Sequence, residues 1–373
     1  MKKIAKFTWL YNDNYGTLLQ AYALQKIIQN EGYQIIDINY RASNITKLLN
    51  LITSRNSLSL FLEKFQNRKC DKLLKNRFLN RTKKNKDFIN KNIMTTDLVT
   101  NKRELKKLLN SYDILICGSD QIWSPKLFNP PYYFSFVKDN IKKIAYAPSF
   151  GNITTTNWKK NKITNYLSRF DFISTRENEG RVFIHELCKI DAKVVLDPTF
   201  LIDRETWEGK AIEFKNKKKY AVCYLLTYNH LYVEAIKKYC DERKVELIII
   251  PSKNSKFSNY YRQEIEIDPF EWIGIIKSSE IVFTDSYHCC IFSIIFNKKF
   301  YLFKRFDDKN ICSQNSRIYT LAETFKIHDR IIDSKTFFKL NDAVISYDDI
   351  NHILKVKIEE SKGWLFDCLK KVC

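Results

Sequence analysis

The strongest constraint on the fold is a repeated alternation of short apolar runs with stretches of helical spacing. KKIAKFTWL (2–10) and YQIIDINY (33–40) have the length of strands, and NYGTLLQAYALQKIIQNEG (14–32) between them has the pattern of an amphipathic helix that ends at Gly32. Parallel strands need such helical crossovers to connect them. The sequence therefore predicts an α/β fold with a mostly parallel, doubly wound sheet.

This alternation occurs twice along the 373 residues. The first series ends in VVLDPTFLI (194–202), which we interpret as a strand followed by a proline-marked loop, and the second begins at KYAVCYLLTY (219–228). A single core rarely grows beyond about 300 residues, so we expect two Rossmann-like domains that face a cleft. The predicted parts are an N-terminal domain at 1–207 with a basic helical insertion at about 43–110, a linker at 208–219, a C-terminal domain at 220–350 and a C-terminal helix at 351–373.

Composition and charge narrow the function classes. With 45% hydrophobic and 14% aromatic residues the chain is not of a disordered type, and it has neither a run of about 20 apolar residues nor the apolar core of a signal peptide. We therefore expect a cytoplasmic protein. The net charge of +21 favours anionic partners, but the basic residues are densest between Arg41 and Arg103 without a nucleic-acid-binding motif. We expect no nucleic-acid partner.

The ten cysteines do not form a metal or disulfide framework. They are scattered through apolar segments without CxxC spacing, and the one adjacent pair, Cys289 and Cys290, has diverging side chains. We interpret them as reduced thiols of a cytosolic protein and expect no metal site.

Polar residues at two predicted strand ends are candidate ligand contacts, because doubly wound folds bind ligands beyond the carboxyl ends of their strands. Asn14 and Gly16 follow the first strand, where Gly16 could let a ligand approach the backbone, although a simple capped turn explains both residues equally well. In CGSDQIWSP (117–125) the candidates are Gly118, Ser119, Asp120 and Gln121.

Arg176 lies directly after the predicted strand DFI, in STREN (174–178). An arginine at a strand end suits bidentate binding of a carboxylate or phosphate. The structural alternative is an ion pair with Glu177 or Glu179, which lie on the following helix.

His288 opens a predicted helix immediately after the strand-like run IVFTDS (281–286). A histidine at a helix start is commonly a cap or a buried polar residue, but here Asp285 and Ser286 precede it at the same strand end. A neutral imidazole at that place can act as a base or donate to an anionic substrate. Asp197, in LDPTF, is interpreted as part of a strand-end turn in the interdomain hinge, without a chemical role.

Together these segments resemble the polysaccharide pyruvyl transferase family. The matching stretches occur in the order of the family and cover nearly the whole chain apart from the basic insertion: NYGTLLQAYAL, DILICGSDQIWSP, IAYAPSFG, FISTREN, VVLDPTFL and, most specific, EIVFTDSYHCCIFSIIFNKKF. The resemblance implies a two-domain fold of the GT-B type. It also implies transfer of the pyruvyl group of phosphoenolpyruvate to a sugar of a cell-surface polysaccharide or its precursor, with no further cofactor.

The resemblance also assigns roles to residues. It implies that Arg176 holds phosphoenolpyruvate and that His288 contacts the donor or acts as acid or base, with Asp120 and Asp285 as candidate partners. Some relatives carry an arginine two residues before that histidine, where this chain has Ser286, and Cys289 stands where a Gly or Ala usually follows. Lys304, Arg305 and Arg317 are candidates to replace the missing cation, and Arg305 joins the predicted substrate-binding residues.

Two other function classes stay open at this point. The first is a GT-B glycosyltransferase that uses a nucleotide sugar, and the second is a basic, non-enzymatic protein that binds an acidic glycan or nucleic acid. For the pyruvyl transferase the expected acceptor is a sugar or a lipid-linked oligosaccharide. A lipid-linked acceptor would bring the protein to the inner face of the membrane, where the basic insertion and the tail WLFDCLKK could contact anionic lipid.

Overall fold

The structure is a computed structural model that describes residues 2–11, 13–41, 72–253, 261–310, 313–333, 335–336, 340 and 344–373. Its strands form two separate parallel sheets of six strands each. The strands are β1 Ile4–Phe7, β2 Ile35–Asp37, β3 Ile114–Cys117, β4 Lys142–Ala145, β5 Phe172–Thr175, β6 Lys193–Val194, β7 Tyr220–Tyr224, β8 Glu246–Ile249, β9 Arg262–Gln263, β10 Ile281–Thr284, β11 Lys299–Phe303 and β12 Ile331–Ile332.

The strand order of each sheet creates one point where the winding direction reverses. The first sheet has the order β2-β1-β3-β4-β5-β6, and the second has the order β12-β11-β10-β7-β8-β9. The reversal lies between β1 and β3 in the first sheet and between β7 and β10 in the second. Such a point opens a crevice at the carboxyl ends of the two strands, where doubly wound proteins bind their ligands.

Helices connect the strands as the alternating pattern predicts. In the described residues they are α1 Tyr15–Asn30, α2 Lys72–Asn92, α3 Lys102–Leu109, α4 Asn157–Leu167, α5 Asn178–Cys188, α6 Pro198–Leu201, α7 Arg204–Lys210, α8 His230–Glu242, α9 Pro269–Ser278, α10 Tyr287–Ile295, α11 Ser316–Phe325 and α12 Tyr347–Val372. Asn14 caps α1 by accepting from the Gly16 N–H, and Gly32 follows the helix with φ +86°.

The segment VVLDPTFLI differs from its predicted form. The strand at this place, β6, contains only Lys193 and Val194. The side chain of Asp197 caps the short helix α6 by accepting from the Thr199 N–H, and Pro198 occupies the first helical position, where a missing N–H costs nothing. An aspartate before a proline is therefore the start of a helix here and not the end of a strand.

The two sheets share an apolar core. The Tyr15 ring on α1 stacks on Trp272 of α9 with centroids 5.4 Å apart, and Trp207 on α7 meets Phe292 of α10 at 5.1 Å. These aromatic rings are buried together with the apolar faces of α1, α9 and α10. Burial of aromatic side chains from both halves holds the halves in one arrangement.

Part of the predicted basic insertion, residues 42–71, lies outside the described residues. In the described part, α2 contacts both halves instead of being solvated all round. Its Phe88 packs against Tyr22 of α1 and Phe270 of α9, and Lys84 forms an ion pair with Glu271 at 2.7 Å. This helix therefore bridges the two halves. The proposed domain boundaries stay predictions.

The C-terminal helix α12 begins at the second half and returns to the first. Near its start the Tyr347 hydroxyl donates to the Lys298 carbonyl, and farther along the Ser361 hydroxyl accepts from the Leu196 N–H at 3.0 Å. At its end the Val372 carbonyl accepts from the ammonium group of Lys2. Within the described ranges, no helix is both long enough and apolar enough to cross a membrane.

Candidate active site

A narrow pocket lies where the reversal points of the two sheets face each other. The volume open to the centre of a water molecule is about 40 Å³. The first half contributes the start of α1 and the residues after β3. The second half contributes the residues after β10 and β11 and the start of α11. The lining residues are Asn14, Asp120, Gln121, Leu226, Asp285, Ser286, Tyr287, His288, Arg305, Phe306, Gln314, Asn315, Arg317 and Ile318.

Seven of the eleven predicted site residues line this pocket, and four lie behind its wall. The lining residues among them are Asn14, Asp120, Gln121, Asp285, Ser286, His288 and Arg305. Those behind the wall are Gly16, Gly118, Ser119 and Arg176, all buried. The fold thus brings the predicted residues of five separate segments to one place, but some of them contact each other instead of the open pocket.

Asp197 lies at the centre of this buried layer, although sequence reasoning gave it no chemical role. Its Oδ2 accepts from Arg176 Nη1 at 2.8 Å and lies 3.3 Å from His288 Nε2. Its Oδ1 accepts from the N–H and the hydroxyl of Thr199 at 3.0 and 2.8 Å. Burial alone would raise the pKa of this carboxyl, but His288 and Arg176 together hold that pKa well below its usual range. Asp197 is therefore ionised and serves both candidate residues.

Arg176 is fully buried, and its side chain does not reach the open pocket. It pairs with Asp197, lies 3.7 Å from Asp120 Oδ1, and its guanidinium sits 4.4 Å from the centre of the Tyr287 ring. The expected alternative partner, Glu177, instead accepts from the Phe150 N–H at 2.8 Å. Nε and Nη2 of Arg176 have no hydrogen-bond partner among the described residues. Its positive charge therefore acts on the pocket from behind the wall.

His288 occupies the second position of α10, and its ring packs over the first turn of α1. Ser286 caps α10, because its hydroxyl accepts a hydrogen bond from the Cys289 N–H at 3.5 Å. A Cβ atom added to Gly16 would lie 2.2 Å from Cγ and 2.4 Å from Nδ1 of His288. The space beside Gly16, predicted to admit a ligand, is therefore filled by the imidazole.

Gly118 and Ser119 shape the turn after β3. Gly118 has φ +122°, and a Cβ atom there would lie 1.9 Å from the Tyr146 carbonyl oxygen, so only glycine fits. The Ser119 hydroxyl donates to the Ala147 carbonyl at 2.8 Å and lies 3.3 Å from Asp197 Oδ2. Both residues support the buried layer and do not face the pocket.

Asp120 is a second ionised carboxylate at the wall of the pocket. It accepts from the Thr17 hydroxyl at 2.5 Å and from the Gln121 N–H at 2.8 Å. Burial raises its pKa, but His288 and Arg176 lower it by more, so the net shift is downward. At neutral pH this group can accept a hydrogen bond but cannot supply a proton.

Asp285 differs from Asp120 because burial raises its pKa to about 6, against the opposing effect of Arg305. Its two oxygens accept from the N–H groups of Leu226 and Thr227 at 2.6 and 3.0 Å, and Arg305 Nε lies 3.6 Å away. These bonds tie the loop after β7 to the start of α10. The geometry gives Asp285 a role in holding this loop and Arg305.

Arg305 and Arg317 are the two cations that line the pocket itself. Arg305 follows β11, its side chain is about one quarter exposed, and its Nε donates to the Thr227 hydroxyl at 3.3 Å. Arg317 lies in the first turn of α11, where burial and the nearby Arg176 lower its pKa to about 10. Its Nη2 donates to Gln314 Oε1 at 3.0 Å, and its Nε has no partner among the described residues. Sequence reasoning named Arg317 only as a substitute that it could not place.

This arrangement suits a small anion with exchangeable protons nearby. Two guanidinium groups and the N-terminus of α10 can bind a carboxylate and a phosphate. The imidazole of His288 can move a proton at the same place. In the described part of the chain, no group of three or more His, Cys, Asp or Glu side chains is arranged to hold a metal ion.

Comparison with known proteins identifies the sequence family and the fold. The sequence model of the family described as polysaccharide pyruvyl transferase matches residues 14–306. A search of curated protein sequences gives no match.

Two solved structures illustrate the likeness in fold. UDP-N-acetylglucosamine 2-epimerase from Rickettsia bellii is similar at 11% identity and a TM-score of 0.52, covering 100% of this chain and 97% of that chain. S. aureus MnaA, solved with UDP, is similar at 11% identity and a TM-score of 0.51, covering 98% and 97%. At this identity the likeness concerns the fold alone, which is the two-domain Rossmann-like GT-B architecture.

Proposed function

Because the chain belongs to the polysaccharide pyruvyl transferase family, we propose that it transfers the pyruvyl group of phosphoenolpyruvate to a sugar of a cell-surface polysaccharide or of its precursor. The observation that carries this proposal is the pocket in which Arg305 and Arg317 stand beside His288 at the start of a helix.

The two guanidinium groups of the pocket suit the two anionic groups of the proposed donor. Phosphoenolpyruvate carries a carboxylate and a phosphate on the same carbon, so it needs two groups of positive charge close together. Ser286 supplies no positive charge, because its side chain is an uncharged hydroxyl, which caps α10. Arg305 from the end of β11 and Arg317 from α11 supply them instead, and the N–H groups at the start of α10 add to the attraction.

The proposed reaction balances without a metal or a second cofactor. One sugar hydroxyl adds to C2 of phosphoenolpyruvate while C3 takes up a proton and becomes a methyl group. The bond from C2 to the phosphate oxygen then breaks, and a second hydroxyl adds to C2. Of the two hydroxyl protons, one ends on C3 and the other leaves with phosphate, so the products are a ketal and inorganic phosphate.

His288 is the residue that we assign to the proton transfers. Its imidazole lines the pocket and can take a proton from an attacking hydroxyl. Asp120 remains ionised and can accept a hydrogen bond from the acceptor sugar. Arg176 and Asp197 touch neither substrate in this scheme and act by holding His288 and the local charge.

Thermal unfolding with added ligands tests the donor. Phosphoenolpyruvate at a hundredfold excess over its dissociation constant should stabilise the protein by about 2.7 kcal/mol. Arg305→Gln and Arg317→Gln should each remove most of this effect. Arg181→Gln is the matched control, because Arg181 is exposed on α5 and carries the same charge. Inorganic phosphate is the control for binding of the phosphate group alone.

The outcome separates the proposed donor from a nucleotide sugar. Stabilisation by UDP without stabilisation by phosphoenolpyruvate would contradict the proposal and favour a GT-B glycosyltransferase. Equal stabilisation of all three variants would show that phosphoenolpyruvate binds elsewhere, which also contradicts it. If the donor binds as expected, phosphate release on addition of candidate sugars identifies the acceptor.

A further inference from the structure

We propose that Asp197 is a positioning residue that fixes His288 with its proton on Nε2 and leaves Nδ1 unprotonated as the proton acceptor. The role of Nδ1 in catalysis rests on the proposed function. The position of the proton on the ring does not, because it follows from the contacts of the imidazole.

Nε2 of His288 lies beside a buried carboxylate. This atom is buried, and the Asp197 carboxylate oxygen lies 3.3 Å away. The contact is not aligned as a full hydrogen bond, but catalytic hydrogen bonds are commonly long before a substrate is bound. Arg176, Thr199 and Ser119 surround the same carboxylate with N–H and O–H groups. Asp197 is therefore held firmly as an acceptor, and Nε2 beside it is favoured as a donor.

Nδ1 of His288 has different neighbours from Nε2. The edge of the ring that carries Nδ1 lies over Gly16, where an added Cβ atom would be 2.4 Å from Nδ1. Gly16 is joined by a hydrogen bond to Asn14, which lines the pocket together with His288. Nε2 thus lies beside a buried carboxylate, whereas Nδ1 lies beside the first turn of α1, whose capping residue Asn14 lines the pocket.

The position of the proton on the ring determines which nitrogen can act as a base. In a neutral imidazole, the hydrogen bond made by one ring nitrogen determines which of the two nitrogens carries the proton. With the proton on Nε2, the lone pair of Nδ1 is free to accept a proton from a hydroxyl group. When it does so, the imidazolium forms next to an ionised Asp197, which stabilises the positive charge.

The experiment reads the position of the proton directly. In protein labelled with 15N-histidine, long-range proton–nitrogen correlation spectra distinguish a protonated ring nitrogen from a bare one. The chain has only five histidines, so loss of one signal set in His288→Gln assigns His288. At a pH where the ring is neutral, we expect a protonated Nε2 and a bare Nδ1. A bare Nε2 with a protonated Nδ1 would overturn the inference.

A substitution tests the role of the carboxylate. Asp197→Asn removes the negative charge and leaves one amide oxygen, for which Thr199, Arg176 and Ser119 compete with His288. The protonated fraction of Nε2 should then fall and that of Nδ1 should rise, and an unchanged ring spectrum would refute the role of Asp197. Asp191→Asn, on an exposed residue, should leave the spectrum as in the wild type.

If Asp197→Asn does not fold, the wild-type spectrum still decides between the two tautomers. The spectrum needs no substrate, so a protein that shows the expected tautomer but is not stabilised by phosphoenolpyruvate would refute the proposed donor and leave the positioning role in place.

Discussion

At the scale of single residues, the site depends on how the His288 ring packs against Gly16, which has no side chain. The His288 ring occupies the space where a side chain of Gly16 would be, and Asp197 holds the ring from the other side. Neither contact is visible in the sequence, since the three residues are separated by 181 and 91 positions, as their numbers show. A glycine in a helical turn is usually explained by backbone conformation, but Gly16 is needed because a side chain there would collide with His288.

The substitution Gly16→Ala tests this fit. Alanine is the better helix former by about 1 kcal/mol, but its methyl group would lie 2.2 Å from His288 Cγ, so the ring must move. We expect a net destabilisation of about 1–3 kcal/mol, as for overpacking, measured by urea unfolding, together with a shifted 15N signal of His288. Gly209→Ala is the matched control, because a Cβ atom there meets nothing within 4 Å. Equal stability of both variants would contradict the packing of His288 on Gly16.

At the scale of elements, α2 determines how the two halves are held. Arg81 on this helix is almost fully buried, and its guanidinium lies 4.3 Å from the centre of the Tyr15 ring. Its Nη1 donates to the Pro251 carbonyl in the second half at 2.8 Å, and its Nη2 donates to the Asp13 carbonyl in the first half at 2.9 Å. One basic side chain of the predicted insertion thus connects both halves at the back of the site.

Arg81→Met should weaken the contact between the halves. The substitution keeps most of the apolar stem but leaves two carbonyl oxygens without their charged donor, which we expect to cost about 2–4 kcal/mol of unfolding free energy. Urea unfolding measures this effect. Lys86→Met is the control, since Lys86 is exposed on the same helix and should change stability by less than about 0.5 kcal/mol. A similar cost for both substitutions would argue against α2 as the bridge.

At the scale of the whole molecule, the charged layer of the site also joins the halves. Asp197 belongs to the first half and His288 to the second, and their contact lies in the same layer as the pair of Asp197 with Arg176. The net charge of the chain is +21, so its positive charges repel one another. A buried, ionised carboxylate reduces this repulsion.

The acid sensitivity of the protein should therefore depend on Asp197. Because the pKa of this carboxyl is lower in the folded than in the unfolded protein, its contribution to stability is present above the unfolded value near 3.8 and is lost as the pH falls below it. Asp197→Asn should destabilise the protein by about 3 kcal/mol near neutral pH and by progressively less in acid. Denaturant unfolding across this pH range measures the difference.

The control for this prediction is Asp191→Asn, which removes the same charge from an exposed position. Its stability should follow that of the wild type at every pH. A constant difference between Asp197→Asn and the wild type from neutral to acidic pH would mean that the ionised form of Asp197 does not stabilise the fold.

The sequence alone determined the architecture and half of the residues in the pocket wall. Strand and helix periods are local, because the side chains that must be buried recur at intervals of two or three to four residues, so two doubly wound sheets follow from the pattern. Polar residues at strand ends then meet by topology, which is why Asn14, Asp120 and His288 were predicted and do line one pocket. The family can likewise be identified from local sequence motifs.

Only the tertiary structure decided which of these residues face the pocket and which support it. Arg176, expected at the ligand, is paired with Asp197, which was expected to be a turn, and Arg317 takes a place in the wall. Ion pairs depend on distances between side chains from different elements, and these distances are set by how the two sheets pack. No local pattern records that packing, so the partners of a buried charge become known only when the chain is folded.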